Sequence, residues 1–280
     1  MRFSFKVWAQ QIDWPQLRDI WIDADRGGFW DAAWLNDHLY PPKAPAELPI
    51  MEAWSLLAAL AAVTHRLRFG AMVTANTFRN PALLAKMAAT IDRISGGRLE
   101  IGLGTGWHEG EHTAYGIPLP TLSERFERLD EACAIIDGLL TGDLFSFAGK
   151  HYQLVDAVCE PKPVQRPRPP LVIGGAGPKK TIPLAARWAD QWNFPDYDAD
   201  VDAFRVGVER LAEACAAIGR SVESIEISAQ MRYPGDLGET LDRIDGYQAA
   251  GAGHVLVSFT PPTDPGLPPV VADAIAARFR

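Results

Sequence analysis

The sequence predicts a (β/α)8 barrel, of the TIM barrel class, with an inserted Pro-rich loop before strand five, and three observations lead there. Eight apolar, strand-like runs alternate with eight helical patterns along the 280 residues. Alternation of this kind argues for a parallel sheet with right-handed crossovers. Eight repeats in about 250 residues suit a closed barrel better than an open sheet. Finally, His38, Thr74, Gly104 to Trp107 and Gly175 to Gly177 all fall where a predicted strand ends, the rim on which such barrels build their sites.

Phe3 to Ala9 reads as a first, largely buried strand, backed by a helix from Trp14 to Arg26. Trp14, Leu17, Ile20, Trp21 and Ala24 recur there at helical spacing, and Gly27 and Gly28 close it. Phe29 to Leu35 is the second strand, running into Asn36, Asp37 and His38, and Tyr40 to Pro49 is a proline-broken loop. An Ala/Leu helix covers Met51 to Thr64, and Leu67 to Ala75 is strand three. Asn80-Pro81 opens the next helix, with Pro81 suited to its first position, and Gly96-Gly97 ends it.

Arg98 to Gly102 is the fourth strand, broken by Gly104, Thr105 and Gly106. Glycines at a strand end let backbone approach a ligand closely. Trp107, His108, Glu109, Glu111, His112 and Tyr115 follow as a dense polar and aromatic cluster. A long amphipathic helix starts at Ser123 and runs to Leu140. Thr141 to Pro170, with prolines at 161, 163, 167, 169 and 170, reads as an irregular inserted loop. The remaining strands are Leu171 to Gly174, Gln191 to Phe194, Ser224 to Met231 and His254 to Phe259. Their helices are Pro178 to Ala189, Val201 to Ile218, Gly238 to Ala250 and Val270 to Arg280. Without a composition shift along the chain, residues 1–280 are expected to form a single domain.

A hydrophobic content of 48% with 22% charged residues is that of an ordinary globular chain. The formal charge of -8 argues against a nucleic-acid partner, which wants a basic face. MRFSFKVWAQQIDW has no signal-peptide core, and no run approaches the roughly 18 apolar residues of a membrane span. Cys133, Cys159 and Cys215 have no paired spacing, so the expectation is a cytoplasmic protein without a disulfide framework.

Four stretches carry chemistry. His108-Glu109-Gly110-Glu111-His112 matches the H-E-x-x-H zinc helix literally, but Gly106 and Gly110 disfavour a helix by roughly 1 kcal/mol each. The expectation there is no metal, with Glu111 and His112 as surface polarity, and a zinc hydrolase on His108 and His112 as the remote alternative. Gly102 to Gly106 lacks the third glycine of a dinucleotide fingerprint, since Trp107 stands where a helix must pack. A flat aromatic ligand against the loop is the better use of it. Ile173 to Thr181 joins a strand to a helix start through glycines, a setting that binds phosphate, with Lys179 and Lys180 adding attraction. His38 ends strand two, where it can shuttle a proton near neutral pH.

Taken together, these residues resemble the luciferase-like monooxygenase family, and most closely its branch using the deazaflavin coenzyme F420. The resemblance rests on Asp37-His38, on GAMVTANTFRNPALLAKMAATIDRISGGRLEIGLGTGW, on ERFERLDEA and on EPKPVQRPRPPLVIGGAGPKKTIPLAARWADQWN. It implies a cofactor ring met by Asp37 and His38 and backed at Val73, at a non-prolyl cis peptide formed by Met72-Val73 or its neighbour. It implies Thr74 and Asn76 along the ring or its chain, Gly104, Thr105 and Gly106 beneath it, and Gly175, Ala176, Gly177 and Pro178 around its phosphate. Trp107 joins this set at a place where one dehydrogenase subgroup has a proton-donating glutamate, which leaves the proton to His38 or Glu109. The implied activity is hydride transfer between the deazaflavin and a small organic substrate, in a homodimer. Carbon at ring position 5 disfavours the peroxide chemistry of flavins, so a dehydrogenase or reductase is favoured over the alternative, an FMN-dependent monooxygenase.

Overall fold

The computed structural model describes residues 1–195 and 200–280. In chain order the strands are β1 (Arg2–Val7), β2 (Ala32–Leu35), β3 (Arg68–Ala71), β4 (Thr74–Ala75) and β5 (Ile101–Gly104). Then come β6 (Phe145–Ala148), β7 (Gln153–Ala157), β8 (Leu171–Gly174), β9 (Gln191–Pro195), β10 (Glu226–Arg232) and β11 (His254–Phe259). All but β6 and β7 join one parallel sheet in the order β3-β2-β1-β11-β10-β9-β8-β5-β4. Because β3 and β4 are halves of one stretch, the sheet closes on itself: Phe69 bridges Leu99 while β4 pairs with β5. That is the expected barrel.

Helices α1 (Trp14–Gly27), α2 (Ala53–Val63) and α3 (Pro81–Ser95) surround its first half, followed by α4 (Glu109–Ala114) and α5 (Leu122–Thr141). The second half carries α6 (Thr181–Trp188), α7 (Val201–Ala217), α8 (Leu237–Ala249) and α9 (Leu267–Phe279). Their ends are written locally. Asp13 and Gln16 form a reciprocal capping box at α1, and Asn80 caps α3 by accepting from Ala82 N–H at 2.9 Å.

Side chains alternate along each strand. Phe3, Phe5 and Val7 of β1 join the large core between sheet and helices. Ser4 and Lys6, on the other face, are buried inside the barrel. There Trp34, Met72, Val172 and Leu256 form a smaller apolar plug with Val73 against it. Ser4 accepts hydrogen bonds from the Trp34 indole at 3.1 Å and contacts His254 Nε2 at 2.7 Å.

Several boundaries differ from the sequence reading. The third strand is two segments, interrupted at Met72-Val73, whose peptide is cis. The fourth begins at Ile101 rather than Arg98, although Arg98 O still accepts from Phe69 N–H at 3.1 Å. Its buried guanidinium donates to the carbonyls of Ala61 (2.9 Å), Thr64 (2.7 Å), Leu67 (2.8 Å) and Ser95 (2.8 Å). These include carbonyls at the ends of α2 and α3, which lack intrahelical partners. The 141–170 excursion is not wholly irregular: β6 and β7 pair as an antiparallel hairpin. Glu131 of α5 anchors it, accepting from the backbone N–H of Lys150 (2.7 Å), His151 (3.0 Å) and Tyr152 (3.0 Å). Helix α6 starts at Thr181, three residues beyond the predicted Pro178. Among the described residues, no helix is long and apolar enough to cross a membrane.

Candidate functional site

Strand ends β1, β2, β4, β5 and β8 converge on a cavity of about 800 Å³, counting its open mouth. Asp37, His38 and Val73 line it, and so do Gly104, Thr105, Gly106 and Trp107. The three separate turns of the sequence reading are thus only partly gathered. The β8 turn reaches the lining at Gly174, while Gly175, Ala176, Gly177 and Pro178 continue outward along the rim.

His38 is held from below by an acid that sequence reasoning had left on the surface. Glu111 is buried, and its Oε2 lies 2.9 Å from His38 Nδ1. Its Oε1 accepts from Leu39 N–H at 2.5 Å and Tyr40 N–H at 3.3 Å. A carboxylate can only accept, so Nδ1 of His38 carries the proton and a neutral ring keeps its lone pair on Nε2. Burial would raise the Glu111 carboxyl. The His38 hydrogen bond and charge, with the two backbone donors, outweigh burial and hold it below the ordinary carboxylate range. Trp8 stacks on the His38 ring at 6.3 Å and 5°, and Trp107 meets it edge-on at 5.9 Å.

Helix α4 delivers Glu111, against the expectation that glycines would keep this stretch irregular. His108 caps it by accepting from Glu111 N–H at 3.2 Å, and Glu109 and Glu111 sit in the first turn, where the helix dipole favours acids. Gly110 belongs here for close approach, since a Cβ would collide with Tyr40 Oη and crowd the His108 ring at 3.1 Å. His112 is buried too, its Nδ1 donating to His108 O at 2.8 Å and its Nε2 accepting from Thr77 Oγ1 at 2.8 Å. His108 Nε2 lies 3.2 Å from Pro42 O. The two histidines of the zinc-like motif therefore serve the architecture of α4. Glu109 is exposed and outside the cavity lining, apart from His38.

Asp37 is occupied as well. Arg79 grips both its oxygens, at 2.7 and 3.0 Å, and Ala75 N–H donates at 3.1 Å. Arg79 also reaches Glu52. Burial opposes the charge on Arg79, but the two carboxylates hold its pKa above the usual value. Asp37 thus fixes the chain after β4 more than it offers itself to a ligand. Thr74 is turned away: its hydroxyl accepts from the Trp54 indole at 3.1 Å. Asn76 is buried off the cavity lining, its backbone N–H bound to Gly104 O at 2.9 Å.

The glycines need a different explanation from the expected one. A Cβ on Gly104 would stand 2.5 Å from Val73 Cγ2, one on Gly174 2.8 Å from Val73 Cγ1, and one on Gly102 would strike Ala71 O. The bare backbone of β5 and β8 makes room for Val73, which lines the cavity. The result is an apolar ridge of Val73 between glycines, with Trp8, His38 and Trp107 contributed from other strand ends. A flat ring with a polar edge suits such a slot. Asn36 Nδ2, buried at the cavity, has no hydrogen-bond partner among the described residues, as a site awaiting a ligand acceptor would have.

The F420-dependent glucose-6-phosphate dehydrogenase of Microbacterium testaceum (strain StLB037) is 37% identical over 196 residues, 68% of this chain and 55% of that one. The enzyme of the same description from Nakamurella multipartita is 32% identical over 249 residues, 84% and 68% of the two chains. The FMNH(2)-dependent dimethylsulfone monooxygenase of Pseudomonas putida is 34% identical over 172 residues, 61% and 46%. The match thus spans about half to two thirds of the length of these curated relatives. An F420-dependent secondary alcohol dehydrogenase, solved with an F420-acetone adduct, shares the fold at a TM-score of 0.85 and 18% identity, covering 99% and 97% of the two chains. The F420-dependent tetrahydromethanopterin reductase of Methanopyrus kandleri does so at 0.83 and 19%, covering 100% and 99%. With residues 1–233 matching the family described as luciferase-like monooxygenase, the chain belongs to that family.

Proposed function

We propose that the protein is an oxidoreductase that moves a hydride between coenzyme F420 and an organic substrate, with His38 handling the accompanying proton. The observation that carries this reading is the His38–Glu111 pair set beside the Val73 ridge. With Nδ1–H committed to Glu111, Nε2 of His38 is the basic nitrogen, and the buried carboxylate stabilises the imidazolium that forms when it takes a proton. A bound deazaflavin would supply a two-electron acceptor at its C5 carbon. An alcohol carbon giving up hydride would then lose its hydroxyl proton to His38, and the reverse reaction would return it. Val73, with Gly104, Thr105 and Gly106, would support the ring, while Trp8 and Trp107 orient His38 and exclude water. Gly175, Ala176, Gly177 and Pro178 would receive the phosphate beside the start of α6, whose first turn lacks a side-chain cap. Dehydrogenase relatives with the same cofactor in their description support the choice.

The second reading is an FMN-dependent monooxygenase, favoured by the Pseudomonas putida relative. Titrating the purified protein with each cofactor separates the two. Tight F420 binding with weak or absent FMN binding is expected. A submicromolar FMN site with no deazaflavin binding would overturn the proposal.

A further inference from the structure

The cofactor cavity has a neighbour. A second pocket, of about 1070 Å³ counting its mouth, shares Trp8, His38 and Trp107 with it. Trp107 is 57% exposed, so a large apolar surface lies open beside His38. Gln10 and Gln11, just after β1, bring amides to the same pocket. They are joined to each other, Gln10 Nε2 donating to Gln11 Oε1 at 3.2 Å. Gln10 is only 6% exposed, yet its Oε1 has no other partner among the described residues, and neither has Gln11 Nε2. Two amides joined by one bond leave one donor and one acceptor over, whichever way each is turned. The loop that carries them is pinned: Gln11 N–H donates to Pro49 O at 2.9 Å and Met51 N–H to Ala9 O at 3.0 Å. Gln11 is held at φ 53°, in the left-handed region that a residue other than glycine seldom occupies. A largely buried amide kept half satisfied costs free energy until something in the pocket completes it. Lys43 and Arg232 also border the pocket, but each is already engaged.

We propose, building on the hydride-transfer reading above, that this pocket seats the substrate and that the substrate is a neutral cyclic polyol. A hydroxyl both donates and accepts, so neighbouring ring hydroxyls match the donor and the acceptor that Gln10 and Gln11 leave over. The C–H face of the ring packs on the open indole of Trp107, which removes apolar surface from water. One ring carbinol then meets His38 at the wall the two cavities share. Its carbon gives up hydride to the cofactor, its hydroxyl proton passes to His38 Nε2, and a ring carbonyl remains. Gln10 and Gln11 act here on specificity and position, apart from the proton chemistry of His38.

The test uses the full chain, with and without bound F420, and four probes: myo-inositol, glucose, cyclohexanol and glucose-6-phosphate. Binding is read by calorimetry and by quenching of tryptophan emission, and oxidation by the loss of F420 absorbance. At least one of the two neutral polyols is expected to bind about 10-fold or more tighter than cyclohexanol, which has a ring but a single hydroxyl. Gln10→Leu and Gln11→Leu should each raise the polyol Kd and KM by about 10- to 100-fold. The same variants should change kcat and the F420 Kd by less than about 3-fold, a split that a folding defect would not give. Cyclohexanol binding as tightly as the polyols, no binding of either polyol, or polyol affinity unchanged in both variants would overturn the assignment. So would glucose-6-phosphate binding more than about 10-fold tighter than glucose, since the pocket would then select an anion. Wild-type protein that binds a polyol but no F420 would instead bring down the cofactor reading and leave the preference of the pocket standing.

Discussion

His38 and Glu111 show how a site is made from a side chain and its support. The histidine is useful because a buried acid fixes which nitrogen holds the proton. His38→Asn is expected to lower kcat by about 10²–10⁴-fold while changing the F420 dissociation constant little, measured by steady-state rates and fluorescence titration. Unaltered turnover would remove the histidine from the chemistry. Glu111→Gln keeps the shape and deletes the charge. It should cost at least about 10-fold in kcat, since the imidazolium formed when His38 takes a proton loses its counter-charge. Glu109→Gln, on an exposed side chain, should leave both parameters near wild type. Because the folded-state pKa of Glu111 lies below its ordinary 4.5, its contribution to stability is complete above that value. It drains away as pH falls through the lower, folded value. Melting curves of wild type and Glu111→Gln should therefore converge on acidification below about pH 4.5.

Among the elements, β5 and α4 are shaped by what they must fit. Val73 is β-branched and stiff at χ1, and it is wedged between Gly104 and Gly174. A methyl added at Gly104 cannot be accommodated by a simple rotation. Gly104→Ala is expected to destabilise the fold by about 1–3 kcal/mol and to weaken cofactor binding at least 10-fold, read by denaturant melts and titration. The hairpin β6–β7 depends on one carboxylate instead. Glu131→Ala leaves three backbone donors without their partner. Faster hydrogen exchange or proteolysis confined to residues 145–157, with kcat unchanged, is the expected result.

Across the whole molecule, Arg98 is the tie that no single element contains. Its guanidinium reaches carbonyls around the ends of α2 and α3 and the start of β3. Arg98→Met should cost about 3–5 kcal/mol, because those buried acceptors lose their donor, and lower the melting temperature by about 6–20 °C. A shift under 2 °C would mean that water replaces it freely.

The barrel itself was legible in the chain, because apolar periodicity and glycine or proline stops are local: the Leu171–Gly174 and His254–Phe259 strands fall as predicted. The Asp13 box and Asn80 cap are equally local. So was the rim carrying His38, Gly104 and Trp107, since strand ends mark it, whereas Val73 came from the family resemblance. What the sequence could not supply was which way polar residues face. Phe3 to Ala9 reads as largely buried, but that closure of the sheet encloses Ser4 and Lys6 inside the barrel is not written in the strand. Gly110 argued against a helix, yet Tyr40 and His108 pack closely against it, where a Cβ would crowd both. Glu111 reads as surface polarity until the loop after His38 folds over it. Periodicity along the chain fixes the elements, whereas burial and pairing of charged groups depend on contacts between segments far apart in sequence, and only closure of the barrel creates those.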